Sequence, residues 1–194
     1  MKFTKTDNSM KIAPLGEASG FAKKQRGMSL IQALFVLVLG GIALSVALNQ
    51  YQSGEKSSRV QKNIGDVMEI IGSVKSNYGQ YSFKNLTTAI AVGSGVVPKR
   101  LADTTTTAKN DFGGAIDLVD NNATKQGTAL LTYALVPTEM CTQLVTGTSN
   151  AARMITVNAV PVKPAYDADL DISLVNTNCT GGATVPITWT VGRT

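Results

Sequence analysis

The sequence predicts an α+β fold: a long N-terminal α-helix, apolar and protruding in its first half and packed on the head in its second, with an antiparallel β-sheet in a globular head. Three observations predict it. No residue from Gly27 to Gly54 is charged, and no proline falls between Met28 and Val97. The next segment carries apolar residues at helical spacing. Beyond Ser82, short apolar runs are punctuated by Gly, Pro and Asn, and helix first with strands after is an α+β order.

Composition bounds the function. The chain has 194 residues, 18 Lys+Arg against 13 Asp+Glu, no His and two Cys. Without His it lacks the commonest general base and metal ligand. Two Cys cannot build a zinc or iron–sulfur site alone. An enzyme is not expected, nor a cofactor, nor a catalytic or metal site. The basic balance sits in the leader, where Lys2, Lys5, Lys11, Lys23, Lys24 and Arg26 face only Asp7 and Glu17. The rest is close to neutral, unlike a nucleic-acid binder with cations gathered on one face.

Met28–Leu48 comes first after the leader. As a helix its residues rise about 31 Å, enough to cross a bilayer core. Lys23, Lys24 and Arg26 immediately before it hold the leader in the cytoplasm and send the remainder across. A plain signal anchor fits this pattern. So does a secretory signal cut near Ser45-Val46-Ala47, although the apolar run is long for one.

Val60, Ile64, Val67, Met68, Ile71, Val74 and Tyr78 then recur at steps of three and four, one face of a helix. Arg59, Lys62, Asp66, Glu69 and Lys75 fall mainly between them. One helix is therefore expected from Met28 to Tyr81. Gly40 and Gly41 weaken it locally, each by about 1 kcal/mol relative to Ala in water, and small residues also let helices approach closely.

The head, 82–194, opens with an irregular Thr- and Gly-rich segment to Asp111, holding a short helix near Leu86–Val92. Ala115–Val119 and Ala129–Val136 are expected strands, the second stopped by Pro137. Thr138 offers an N-cap to a short helix with Glu139 in its first turn, Cys141, Leu144 and Val145 on one side, and its end at Gly147. Met154–Val160 is an expected strand. Tyr166–Val175 reads as either strand or helix, and Val185–Val191 as the closing strand, with Trp189 in the core.

The junction residues Lys23-Lys24-Gln25-Arg26-Gly27-Met28-Ser29-Leu30-Ile31-Gln32-Ala33 resemble a type IV prepilin: basic patch, glycine, then an uninterrupted apolar helix. The 27-residue leader and Met as first mature residue resemble the type IVb branch. Asn49-Gln50-Tyr51-Gln52-Ser53, Asn63-Ile64-Gly65-Asp66-Val67-Met68 and Phe112-Gly113-Gly114 are similar to the bundlin group and to the thin-pilus pilins of conjugative systems. The resemblance covers about residues 22–80 clearly and is diffuse beyond.

The resemblance implies a leader, 1–27, removed by a prepilin peptidase between Gly27 and Met28, with N-methylation of Met28. It implies a helix 28–81, whose segment 28–51 crosses the membrane and later polymerises, and a head 82–194. The expected product is the major pilin of a type IVb filament serving attachment, aggregation or mating. Its partners would be copies of itself, minor pilins, an inner-membrane platform with its assembly ATPase, and an outer-membrane secretin. It would pass from the inner membrane, head in the periplasm, to an extracellular pilus.

One position departs from the family. Subunit docking there uses the new N-terminus, here Met28, and a Glu at the fifth mature position, which is Gln32. A neutral amide can still accept a hydrogen bond from an ammonium. It is also the feature that speaks for a minor pilin or a type II secretion pseudopilin. A membrane-anchored extracytoplasmic binding domain is the alternative outside this machinery.

Cys141 and Cys179 lie 38 positions apart. In an oxidising compartment an even count favours pairing, and two unrelated buried thiols are the alternative. By resemblance the pair is the disulfide bounding an exposed segment at 141–179, which, like the loop Thr104–Asn110, would face neighbours or solvent. Asp167, Asp169 and Asp171 lack the Gly and Glu of an EF-hand loop and read as a solvated turn. The Asn-x-Thr triplets at Asn85, Asn122 and Asn178 are short enough to arise by chance, and Gly93-Ser94-Gly95 reads as a turn.

Overall fold

The structure is a computed structural model describing residues 30–80, 82–121 and 127–192, with only the backbone at 49 and 51–53. Two compact units are distinguished, one ending at Ser45 and one spanning Val46–Thr194.

Helix α1, Leu30–Tyr78, contains the boundary between them. It ends three residues before the expected Tyr81, with Gly79 N–H closing on Lys75 O at 2.9 Å. In the second unit, Val60, Val67, Ile70, Ile71 and Val74 are buried, with Ile64 and Tyr78 partly so. Two assignments change. Met68 is exposed and Ile70 takes its place, while Asp66, expected on the polar side, is buried together with Asn63. An apolar helical stripe is about 100° wide; Met68 falls just outside one margin of the buried face and Asp66 just inside the opposite one, and apolar spacing alone places neither margin.

Helix α2, Thr88–Gly93, is capped by Thr87, whose hydroxyl accepts from Ile90 N–H. The segment expected to be irregular also holds a 3-10 turn, Lys99–Leu101, and strand β1, Ala108–Lys109. A two-residue strand has too little alternation to be visible in sequence. Strands β2, Ala115–Asp120, and β3, Thr128–Pro137, follow as expected, to within a residue at each end.

Helix α3, Thr138–Thr148, has its N-cap one residue earlier than expected: Pro137 holds that position and makes no side-chain bond. Its fixed φ suits the entry to a helix. The expected single strand at Met154–Val160 is two strands, β4, Met154–Val157, and β5, Val160–Lys163. Asn158 and Ala159 between them both have positive φ (50° and 65°), the backbone of a two-residue hairpin turn. The ambiguous segment resolves as helix α4, Ile172–Cys179, because Asp171 caps it, accepting from Leu174 N–H at 3.0 Å. Strand β6, Thr184–Gly192, ends the described chain.

Among the described residues six strands form one sheet, β1-β2-β3-β6-β4-β5, and every pairing is antiparallel. Period-two alternation places Ile116, Leu118, Leu131, Tyr133, Ile187, Trp189, Ile155 and Val157 in one buried layer. This layer forms one cluster with Val67, Ile70 and Val74 of α1 and with Cys141, Leu144 and Val145 of α3. Gly147 lets α3 approach α1, since a Cβ there would lie 2.5 Å from Ile64 Cδ1.

Candidate functional site: an exposed apolar helix and a disulfide-bounded segment

The described residues of the first unit, with the three that follow Ser45, offer one chemistry. Leu30–Leu48 is a 19-residue span of mean hydropathy 2.4, none of it buried within the chain, long and apolar enough to cross a membrane. Leu30, Phe35, Leu37 and Leu39 are each more than 60% exposed. At about 25 cal/mol per Å² such a surface is driven out of water into lipid or against other copies. Its polar groups are satisfied locally where they are seen. Ser45 Oγ donates back to Gly41 O at 2.8 Å and Ile42 O at 2.9 Å, which suits a medium without water.

Gln32 lies in the first turn of α1, exposed among Ile31, Leu34 and Phe35. Gly27, Met28 and the leader lie outside the described residues.

In the second unit a disulfide joins Cys141, in the first turns of α3, to Cys179, the last residue of α4, with Cα atoms 5.7 Å apart. Both cysteines are buried, and Thr142 Oγ donates to Asn176 Oδ1 beside them at 3.3 Å. The enclosed segment presents Tyr166, Ile172 and Leu174 to solvent. The Arg153 guanidinium lies 5.9 Å from the Tyr166 ring centre, within cation–π range.

The turn after α3 is held by two cations. Lys163 is buried and donates to Ser149 O at 2.7 Å and Ala152 O at 3.3 Å, and Lys75 of α1 donates to Ala151 O at 2.9 Å. Positive groups are favourable at the carbonyl end of a helix. Partial burial, and then the charges of Arg153 and Lys163, hold the Lys75 ammonium below its ordinary value.

Sequence reasoning missed two features. Asp66, buried, pairs through Oδ1 with Arg100, which also donates to Glu69 at 2.7 Å. These hydrogen bonds, Glu69 first, push the guanidinium further up. The signal was present in the three-residue spacing of Asn63 and Asp66 along the Val60–Val67–Ile70 face. The other is an open groove of about 470 Å³ floored by Phe112, Leu135, Pro137 and Met140, beside the Lys56–Glu139 ion pair. Leu135 reaches it from a β3 bulge at φ 56°. Among the described residues no group of three or more His, Cys, Asp or Glu converges to hold a metal.

Residues 55–192 match the family model described as PilS N terminal. The chain belongs to the PilS N-terminal family. It is also 30% identical over 126 residues to the major structural subunit of bundle-forming pilus of Escherichia coli O127:H6 (strain E2348/69 / EPEC), covering 64% of this chain and 65% of that relative's length. The same subunit from Escherichia coli O111:H- is equally similar. In structure, the chain resembles TcpA, a type IV pilin from Vibrio cholerae El Tor biotype (16% identity, 66% of this chain, 98% of that one, TM-score 0.46). It also resembles the type IVb pilin from Salmonella typhi (18%, 69% and 97%, TM-score 0.49). The pilin resemblance read from the sequence is borne out at the level of family by the match over residues 55–192 and by the pilus-subunit relatives.

Proposed function

We propose that this chain is the major structural subunit of a type IVb pilus, with a mechanical rather than catalytic task. The observation that carries the reading is the exposed, uncharged span Leu30–Leu48. In a PilS-family chain, this surface anchors the precursor in the inner membrane and then becomes the buried spine of a filament built from copies of itself. Its transfer between two apolar media keeps the helix out of water throughout, so release from lipid and polymerisation are nearly balanced in hydrophobic energy. The name of the Escherichia coli relative, a major structural subunit of a pilus, supports the same assignment.

In this reading, residues 1–27 are removed by prepilin peptidase after Gly27, Met28 is N-methylated, and the head, 82–194, is delivered to the periplasm. An inner-membrane platform and its ATPase extract the subunit, minor pilins join it, and a secretin passes the fibre to the cell surface for attachment, aggregation or mating. Gln32 meets the Met28 ammonium of a neighbouring copy through its amide oxygen, a neutral contact replacing an ion pair.

N-terminal sequencing of filaments sheared from cells tests this. N-methyl-Met28 is expected as the first residue, and a Gln32→Glu variant is expected to assemble at least as well. A mature protein that begins near Leu48 and is soluble and monomeric overturns the reading. Scarcity in the sheared fraction, with another pilin dominant, reassigns the chain as a minor pilin, the alternative that Gln32 favours.

A further inference from the structure

Among the described residues, three polar side-chain atoms are buried without a hydrogen-bond partner: Asn63 Oδ1, Asp66 Oδ2 and the Tyr133 hydroxyl. Each belongs to a residue at most 1% exposed. Asn63 and Asp66 are three residues apart on α1 and so share its face toward the sheet. Tyr133 points from β3 into the cluster that contains Val67 and Ile70. Burial pushes the Tyr133 hydroxyl up, and the next cause is the negative charge of Asp66, which places the carboxylate near the phenol.

The other polar atoms of this set are already engaged. Asn63 Nδ2 donates to Arg59 O at 2.9 Å, which fixes the amide orientation and leaves Oδ1 facing away from that bond. Asp66 Oδ1 takes Arg100. What remains is two acceptors and one hydroxyl donor, none within reach of the others or of the backbone. Buried polar groups left in this condition are rare and costly.

We propose that Asn63, Asp66 and Tyr133 form the binding site of one internal water molecule. The water accepts the Tyr133 O–H and donates one hydrogen to Asn63 Oδ1 and the other to Asp66 Oδ2. Three hydrogen bonds are the usual complement of a buried water, and the donor–acceptor count closes with nothing left over. A monovalent cation fits less well. Arg100 already neutralises the carboxylate, and a cation leaves the Tyr133 proton without an acceptor. The water ties α1 to β3 through a ligand, beside the Asp66–Arg100 pair.

Tyr133→Phe in the full-length chain in detergent micelles tests the site by sign, because it removes one hydroxyl and almost no volume. Oxygen-17 magnetic relaxation dispersion is expected to count one fewer long-lived water in the variant. The unfolding equilibrium constant in urea is expected to rise about five- to thirtyfold. An unchanged water count, or a variant as stable as the wild type or more so, overturns the proposal, since loss of an unpartnered hydroxyl relieves the fold. A wild-type stability that differs between sodium and choline chloride at equal ionic strength also overturns it, in favour of a cation.

Discussion

The indole N–H of Trp189 donates to the Thr148 hydroxyl at 2.8 Å, and that hydroxyl in turn donates to Leu144 O at 2.7 Å. The bond joins β6 to the last turn of α3 in a fully buried position, next to an edge-on Tyr133–Trp189 pair with ring centres 5.4 Å apart. Thr148→Val keeps the shape and leaves the indole nitrogen unpaired. A loss of about 1–3 kcal/mol is expected from urea unfolding, with Thr148→Ser close to wild type. A Val variant of unchanged stability would show that the bond contributes nothing net.

The disulfide closes a loop of 38 positions between α3 and α4. The chain-entropy picture assigns it about 4 kcal/mol. A Cys141→Ser/Cys179→Ser double variant is expected to lose about that much in chemical unfolding. Dithiothreitol should lower the wild-type midpoint toward that of the variant and leave the variant unmoved.

Arg100 neutralises a carboxylate that is 2% exposed, while its own side chain is 45% exposed. Truncation to Arg100→Met strands Asp66 beneath the loop. Because water can partly replace so open a partner, a loss of about 2 kcal/mol is expected, below the full cost of breaking a buried pair. Adding Asp66→Asn to Arg100→Met should recover part of it. A double variant less stable than Arg100→Met alone contradicts this account.

Lys75 carries a lowered proton affinity in the folded chain. Between its folded value and the ordinary lysine value, the unfolded chain binds more protons, so this group's contribution to stability rises with pH. The stability of wild type relative to Lys75→Met is expected to increase between pH 7 and about pH 10.5, read from urea unfolding at each pH. A difference that is flat or falls with pH would place Lys75 elsewhere.

Much of the architecture was legible in particular residues. The uncharged run after Gly27 and the stripe from Val60 to Tyr78 announce α1, which ends three residues before the expected Tyr81, and Pro137 marks the end of β3. The strands around Leu118, Leu131 and Trp189 were visible because one buried face imposes period two. The hairpin at Asn158-Ala159 was hidden because neither residue is a glycine, and the fate of Ile172–Cys179 turned on one cap from Asp171.

What the sequence determined alone is the part of the protein whose surroundings are uniform. A run of apolar side chains facing lipid or its own copies needs only composition and length, so Leu30–Leu48 could be read without knowing its neighbours. Tertiary structure decided where polar groups meet across distance: Asp66 with Arg100, Trp189 with Thr148, Lys75 with Ala151 O. Those pairings depend on which face of α1 meets which strand, and a buried polar atom gains or loses by its specific partner, which linear order does not encode.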